Sequence, residues 1–242
     1  MAIKIAINGV NGRMGQEIAK IVENDASLEL VEKFTSLNPI SASNINGTDV
    51  IIDFSSEFGL NEVLKHANCK IVSGTTGLSH ETFSAMKEYG ATKNGIIWGS
   101  NTSFGVNLLF AMVKKLGSML GVEYDAEVYE RHHRLKKDAP SGTAITIGKK
   151  IAQGRGVEYI QRNYSIQGER KLGEIGFGIE RGGKTVGRHE ASFISDDERI
   201  WIGHEAFDRS IFAKGAVKLA IIAHTHEIKG YNEACDILSE IL

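Results

Sequence analysis

The polar segment 130–144 carries residue types that can bind an anion and transfer a proton. Pro140 is compatible with the approach to a helix start, and the backbone N–H groups of residues 141–143 at that start can chelate a carboxylate. His133 and Lys136 add positive charge or hydrogen-bond donors. The segment could therefore hold two anionic groups at once.

Lys136 is the candidate proton donor, because a lysine surrounded by neighbouring cations gives up its proton more readily. The alternative is a solvated basic loop, to which other cationic residues would belong: Arg131, Arg134 and Lys137. A metal site is disfavoured, since adjacent His132 and His133 on an extended segment point to opposite faces. Neither an HExxH motif nor a third ligand is apparent, so we expect no metal.

The glycine turn Gly9–Gly15 follows an apolar strand and opens a helix. Free N–H groups and the helix dipole at such a turn can hold a pyrophosphate, which predicts dinucleotide binding. The spacing is G-x-x-G-x-x-G rather than G-x-G-x-x-G, and a tight turn without a ligand is the alternative. Arg13 could reach a phosphate, and Lys33 offers a second cationic donor near the 2′ position. Thr35 and Ser36 stand where an acidic residue would hold the ribose hydroxyls, so the choice between NADH and NADPH stays open.

Two further polar loops, Gly74–Gly77 and Gly99–Thr102, follow the ends of predicted strands. Ligands of open α/β sheets bind at the carboxyl ends of the strands, so these loops and the glycine turn would form one row. Ordinary loop and helix-capping chemistry explains each loop about as well when it is taken alone.

The hydrophobic pattern indicates the scaffold that would position these segments. Over the first hundred residues, short apolar strands alternate with amphipathic helices, which predicts βαβ units and a parallel sheet. The second of these strands is predicted at Leu28–Phe34, and a later strand is predicted at Tyr124–Glu130. From residue 173 to 206 the pattern changes to consecutive strands separated by turn signals, which is typical of an α+β segment. Residues 209–227 return to a helical apolar stripe that could pack back on the first domain.

Composition excludes several classes of protein. The 242 residues carry a net charge of −2, which disfavours a nucleic-acid coat or a polybasic membrane tether. The apolar runs are too short to span a membrane, and no export signal is apparent at the start. Two cysteines without metal spacing fit reduced thiols, so we expect a soluble cytoplasmic protein that binds neither nucleic acid nor membrane.

Residues 130–143 read E-x-H-H-x-x-K-x-D-A-P-S-G-T, which closely resembles the signature of the 4-hydroxy-tetrahydrodipicolinate reductase (dihydrodipicolinate reductase) family. The resemblance continues in order along nearly the whole chain, through the turn at Gly12–Gly15, the strand end at Ile52–Phe54, the loop at Gly74–Gly77, Asn101 with Ser103 to Asn107, Gly176–Phe177, and Arg209 to Ala216.

This resemblance implies a Rossmann-like dinucleotide-binding domain over residues 1–103 plus 210–242. It implies a second, α+β domain over residues 104–209 for substrate binding and oligomerisation, in a homotetramer. The implied reaction is the NADH- or NADPH-dependent reduction of 4-hydroxy-tetrahydrodipicolinate, a small dicarboxylate, to tetrahydrodipicolinate on the diaminopimelate route to lysine. The alternatives are another NAD(P)-dependent reductase or dehydrogenase of a small dicarboxylate, and an inactive nucleotide-sensing protein.

The resemblance also implies site residues. His132 is the catalytic acid/base and Lys136 the proton donor. The substrate carboxylate contacts are His133, Gly142 and Thr143. The cofactor contacts are Gly9, Val10, Asn11, Gly12, Arg13, Met14, Gly74, Thr75, Thr76, Gly99, Ser100, Asn101 and Thr102.

Overall fold

The computed structural model describes residues 1–162 and 168–241. The chain divides into two compact units, Met1–Phe104 with Ser210–Ile241, and Gly105–Arg209. Residue 242, the predicted end of the first domain, lies outside the described residues. Within the described ranges, no helix is both long enough and apolar enough to cross a membrane.

Strands and helices mostly alternate in the first unit, whereas three strands follow one another in the second. The strands are β1 (Ile3–Asn8), β2 (Leu28–Phe34), β3 (Val50–Asp53), β4 (Lys70–Ser73), β5 (Ile96–Trp98), β6 (Asp125–His132), β7 (Ile175–Arg181), β8 (Gly187–Ile194), β9 (Arg199–Ala206) and β10 (Tyr231–Glu233). The helices are α1 (Arg13–Glu23), α2 (Glu57–His66), α3 (His80–Thr92), α4 (Phe104–Leu120), α5 (Gly142–Arg155), α6 (Ser210–Thr225) and α7 (Ala234–Ile241).

The first unit is built on a six-stranded sheet in the order β10-β5-β4-β3-β1-β2, and every pairing in it is parallel. The central strands are buried on both faces, as expected where helices cover both sides of a parallel sheet. Helices α1 and α6 pack on one face, and α2 and α3 pack on the other. The predicted α/β class is therefore confirmed, and helix α6 does return to this sheet.

Parallel pairing places the carboxyl ends of β1, β3, β4 and β5 at one edge of this sheet. The glycine turn follows β1, the loop at Ser55 follows β3, and the two polar loops at Gly74 and Gly99 follow β4 and β5. The row predicted from the sequence is therefore present.

The second unit contains a four-stranded mixed sheet in the order β7-β6-β8-β9. Strand β6 pairs in parallel with β7 and antiparallel with β8, and helix α5 packs against β6 and β8. Strand β6 alternates buried and less buried residues, so one face of the sheet is covered. The strand runs to His132, two residues further than the hydrophobic pattern predicted, so the first histidine of the polar segment is a strand residue.

Candidate active site

The glycine turn after β1 has a backbone that only glycine allows at two positions. Gly9 has φ +83°, and an ideal Cβ there would lie 2.4 Å from the Phe54 carbonyl oxygen. A Cβ on Gly15 would lie 2.3 Å from the Gly9 carbonyl oxygen. Gly12 caps α1, whose first turn holds no acidic residue. The turn thus leaves a helix N-terminus open to an anion, which fits a dinucleotide pyrophosphate.

A pocket of ≈ 280 Å³ lies beside this turn, at the carboxyl ends of the first three strands. Its size is close to that of small-ligand sites. Phe58 on its rim is 76% exposed, and an exposed aromatic ring can stack on a nucleobase. The pocket is lined by Asn8, Gly9, Thr35, Ser36, Pro39, Ile40, Ser55, Ser56, Phe58, Gly59 and Glu62.

Thr35 and Ser36 both line this pocket, but they differ in their availability to a ligand. The Thr35 hydroxyl accepts hydrogen bonds from the Leu37 and Asn38 N–H groups at 3.2 and 3.0 Å, whereas Ser36 is exposed. Lys33, which the sequence offered as a cationic donor, is paired with Glu23 at 2.7 Å. Lys33 is therefore engaged with a carboxylate on α1.

The loops after β4 and β5 each use one threonine side chain within the fold. Thr75 is buried, and its hydroxyl donates to Asp53 at 2.7 Å. Thr102 is also buried and donates to the Phe212 carbonyl at 2.8 Å. Thr76 and Ser100 are exposed, while Asn101 accepts from the Ser103 N–H at 2.9 Å. The side chains of Thr75 and Thr102 thus hold the loops in place.

In the second unit, a buried carboxylate holds the ring of His132. Glu130 and His132 are two residues apart on β6 and share a face, and Glu130 Oε2 is in close contact with His132 Nδ1. Glu130 Oε1 accepts from the Ser141 N–H at 3.0 Å and from Arg181 Nη2 at 2.7 Å. Burial alone would raise the pKa of Glu130, but hydrogen bonds from His132, Arg181 and Ser141 hold it at about 2. Glu130 is therefore a charged acceptor at neutral pH.

His189 completes this cluster. It pairs with Glu130 across β6 and β8, its ring packs edge-on against His132 with centroids 5.0 Å apart, and its Nε2 lies 3.1 Å from the Ser141 hydroxyl. Burial lowers the pKa of His189 to about 3. The sequence did not single out Glu130, Arg181 or His189 as site residues. Glu130 could have been found from its i,i+2 spacing to His132, because residues two apart on a strand share a face.

His132 has two further possible metal ligands beside it, contrary to the expectation from the sequence. Glu130, His132 and His189 bring possible ligand atoms within 4.8 Å of one another. However, both carboxylate oxygens are already engaged, one of them by the Arg181 guanidinium. A neighbouring guanidinium repels a cation, so this geometry favours a hydrogen-bonded carboxylate–histidine pair over a metal site.

We expect the protein to lose stability as the pH falls from 6.5 to 4.5, because buried histidines stay neutral in the folded chain. The pKa of His189 is about 3 and that of His204 is lowered by burial, whereas an unfolded histidine titrates near 6.5. The unfolded chain then binds more protons, which costs up to about 1.4 kcal/mol per pH unit and per proton. Lowered carboxylate pKa values, such as that of Glu130, matter only below about 4.5.

Thermal unfolding at pH 6.5, 5.5 and 4.5 measures this effect. The variant His189→Gln should show a shallower pH dependence than the wild type. Equal slopes for the two proteins would assign the acid sensitivity to other groups.

The turn after β6 places Lys136 next to an acid. The Lys136 N–H donates to the His133 carbonyl at 3.1 Å, and Lys136 Nζ lies 3.0 Å from Asp138 Oδ2. The side chain is 22% exposed. The expectation that cations surround this lysine is therefore wrong for its nearest charged neighbour, because the ammonium group contacts the Asp138 carboxylate. His133 Nδ1 is buried and has no hydrogen-bond partner among the described residues, so it can serve a ligand.

Helix α5 begins at Gly142, directly beside the carboxylate–histidine pair. Ser141 caps it by accepting from the Ala144 N–H at 3.2 Å, and its own N–H is bound to Glu130. An ideal Cβ on Gly142 meets nothing within 4 Å, so open space lies next to the helix N-terminus. The first turn holds no acidic residue, which leaves it favourable to an anion.

Comparisons with known proteins agree along the whole chain. The model "Dihydrodipicolinate reductase, N-terminus" matches residues 3–102, and "Dihydrodipicolinate reductase, C-terminus" matches residues 105–238. The 4-hydroxy-tetrahydrodipicolinate reductase of Wolbachia pipientis wMel is 38% identical, covering 98% of this chain and 100% of the relative. The enzyme of that name from Alkaliphilus oremlandii is 42% identical over 89% of this chain and 90% of the relative.

Solved structures show the same fold. A dipicolinate-bound dihydrodipicolinate reductase from Paenisporosarcina sp. TG-14 superposes with a TM-score of 0.75 and 23% identity over 100% of both chains. The DAP dehydrogenase of C. glutamicum, in complex with DAP, gives a TM-score of 0.58 at 12% identity over 98% of this chain and 95% of that chain. At such identities, the likeness to these two structures concerns the fold alone.

Proposed function

Since the chain belongs to the dihydrodipicolinate reductase family, we propose which of its residues carry the activity of that family. The activity is the NAD(P)H-dependent reduction of 4-hydroxy-tetrahydrodipicolinate to tetrahydrodipicolinate in lysine and diaminopimelate biosynthesis. The observation that carries the assignment is the buried Glu130–His132 pair beside the open N-terminus of α5.

In this proposal, the first unit binds the reductant. The N–H groups at the start of α1 hold the pyrophosphate, and the residues from Gly9 to Met14 shape its approach. The loops Gly74–Thr76 and Gly99–Thr102 contact the rest of the dinucleotide through backbone groups and exposed hydroxyls. NADH or NADPH, when bound, supplies the hydride.

The second unit binds the substrate and handles its protons. The N–H groups of Gly142 and Thr143, with His133, hold a carboxylate. The charged Glu130 carboxylate, in close contact with His132 Nδ1, fixes the ring orientation and leaves Nε2 to exchange a proton. Lys136 carries an ammonium proton, which Asp138 helps to orient. Loss of the 4-hydroxyl group as water leaves a conjugated ring, and Lys136 donates its proton to that ring as the ring is reduced.

Two further parts of the proposal concern assembly and location. We infer a homotetramer that uses the second unit, because β9 is an edge strand whose unpaired backbone groups can pair with another chain. This strand also carries Trp201, which is 59% exposed. A cytoplasmic location is supported by the two cysteines, Cys69 and Cys235, which are both free and buried.

The function is tested by following the oxidation of NADH and NADPH with substrate freshly generated by dihydrodipicolinate synthase. Turnover with that substrate and little turnover with a panel of other small dicarboxylates is the expected result. Turnover on another dicarboxylate alone would favour the rival reductase. Calorimetric binding of the cofactor without any turnover would favour a nucleotide-sensing protein.

We expect both reductants to be used with only a modest bias, because no acid stands at the end of β2 to repel a 2′-phosphate. Ser36→Glu should then raise the KM for NADPH about tenfold or more by like-charge repulsion and leave the KM for NADH nearly unchanged. Ser36 is a better test position than Thr35, whose hydroxyl is used within its own loop. Ser36→Gln is the matched uncharged control. A wild type that strongly prefers NADH, or equal losses in both variants, would show that this strand end does not read the 2′ position.

A further inference from the structure

Asp53 is a fully buried carboxylate at the carboxyl end of β3, and neither proposed proton-transfer residue contacts it. Its Oδ1 accepts hydrogen bonds from Asn8 Nδ2 at 2.8 Å and Ser55 Oγ at 2.6 Å. Its Oδ2 accepts from Ser73 Oγ at 2.8 Å and Thr75 Oγ1 at 2.7 Å. Burial raises the pKa of Asp53, and the four hydrogen bonds oppose that rise. All four side chains that donate hydrogen bonds to this carboxylate are uncharged.

The four donors come from segments that surround the dinucleotide edge. Asn8 is the last residue of β1, directly before Gly9, and its Nδ2 also lies 3.0 Å from Ser55 Oγ. Ser73 ends β4, and Thr75 belongs to the loop that follows it. The Thr75 hydroxyl in turn accepts from the Ser55 N–H at 3.1 Å. Asp53 therefore ties together the segments after β1, β3 and β4.

The neighbour of Asp53 fixes the same segments sterically. An ideal Cβ on Gly9 would lie 2.4 Å from the Phe54 carbonyl oxygen, and one on Gly74 would lie 2.4 Å from the Phe54 ring. The two cofactor loops are thus seated on the backbone and ring of a single residue. Any shift of this strand end would move both loops together.

A buried carboxylate is a costly way to complete a core, because its desolvation must be offset by hydrogen bonds. A carboxylate accepts from several donors and offers none, so it suits a point where donors converge from three loops. An uncharged amide of the same shape would present two N–H hydrogens to those donors. The two acceptor oxygens of Asp53 therefore have a geometric use at this edge.

We propose that Asp53 is a positioning residue for the dinucleotide, holding the segments after β1, β3 and β4 in the arrangement that binds NADH or NADPH. This inference rests on the proposed cofactor role of the Gly9 and Gly74 loops. Asp53 acts through Asn8, Ser55, Ser73 and Thr75, and its loss should weaken the binding of both cofactors while substrate binding in the second unit is kept.

The test is the variant Asp53→Asn, with the Kd for NADH and NADPH measured by fluorescence titration. We expect both values to rise at least about tenfold, since a donor group replaces one acceptor oxygen. The Kd for dipicolinate, measured by calorimetry without cofactor, should stay at the wild-type value. Circular dichroism and thermal unfolding show whether the variant is folded.

Tyr89→Phe is the matched control, because it removes another buried hydrogen bond of the first unit, to the Cys69 carbonyl at the opposite end of β4. It should lower the unfolding temperature and leave the Kd for NADH unchanged. Equal NADH affinity for Asp53→Asn and the wild type would overturn the proposal, as would the same loss of affinity in Tyr89→Phe.

If Asp53→Asn does not fold, Ser73→Ala decides the question, since it removes one of the four donors. It should raise the Kd for both cofactors roughly two- to tenfold. An unchanged Kd in this variant would overturn the proposal. A wild type that binds neither cofactor would instead refute the cofactor assignment itself, so the two failures are distinguishable.

Discussion

Replacing Lys136 with alanine should lower kcat by about 10²–10⁴-fold, which is the usual contribution of a positioned proton donor. Lys136 sits in the short turn between β6 and α5, where Asp138 holds its ammonium group at 3.0 Å. A hydride adds to the substrate only if a proton compensates the charge that develops, and Lys136 is the proposed source. Removing it leaves water to protonate the product, which is slower because water is neither positioned nor acidic.

Lys137→Ala is the matched control for this prediction. Lys137 has the same side chain and lies one residue further along, but it is exposed. Its loss should leave kcat near the wild-type value. Single-turnover measurement at saturating NADH separates the chemical step from product release. A Lys136→Ala variant whose kcat equals that of Lys137→Ala would remove Lys136 from the mechanism.

The parallel sheet could be predicted because local signals carried it. Each βα unit of the first hundred residues is indicated by a short apolar run, a glycine or polar turn, and apolar residues at helical spacing. The order of the strand ends then follows from the parallel connection rule, which is why the loops at Gly9, Gly74 and Gly99 were expected in one row. Strand β2 was predicted with the bounds that the structure shows, Leu28–Phe34.

The buried polar clusters could not be predicted in the same way. His189 reaches Glu130 only through the register between β6 and β8, and Arg181 reaches it from the end of β7. Register depends on tertiary packing, which a single sequence does not reveal. Asp53 is a similar case, because the residues that donate hydrogen bonds to it lie 2 to 45 positions away along the sequence.

The immediate charge environment of single residues was also out of reach. From the sequence, Lys33 was expected near the dinucleotide and Lys136 was expected among cations. In the structure, each of these lysines is paired with a carboxylate. A long flexible side chain can contact any charged group within its reach in the folded structure. Neighbours along the sequence therefore do not predict its ion-pair partner well.

Gly142→Val should raise the KM for the substrate by a large factor while the Kd for NADH stays near the wild-type value. Gly142 is the first residue of α5, and the space beside it is open, so a valine would not strike the folded chain. Its methyl groups would instead fill the approach to the N–H groups of Gly142 and Thr143, where a carboxylate is expected to bind. The proton-transfer residues are left in place, so the loss should be one of substrate binding.

A graded series makes this prediction specific to size. Gly142→Ala adds one methyl group and improves helix propensity, so it should cause a smaller rise in KM without loss of stability. Valine should then exceed alanine in its effect on KM, with the same unfolding cooperativity in both variants. Initial rates at saturating NADH and varied substrate give the two KM values. If the KM of the valine variant equals that of the wild type, the N-terminus of α5 does not bind the substrate carboxylate.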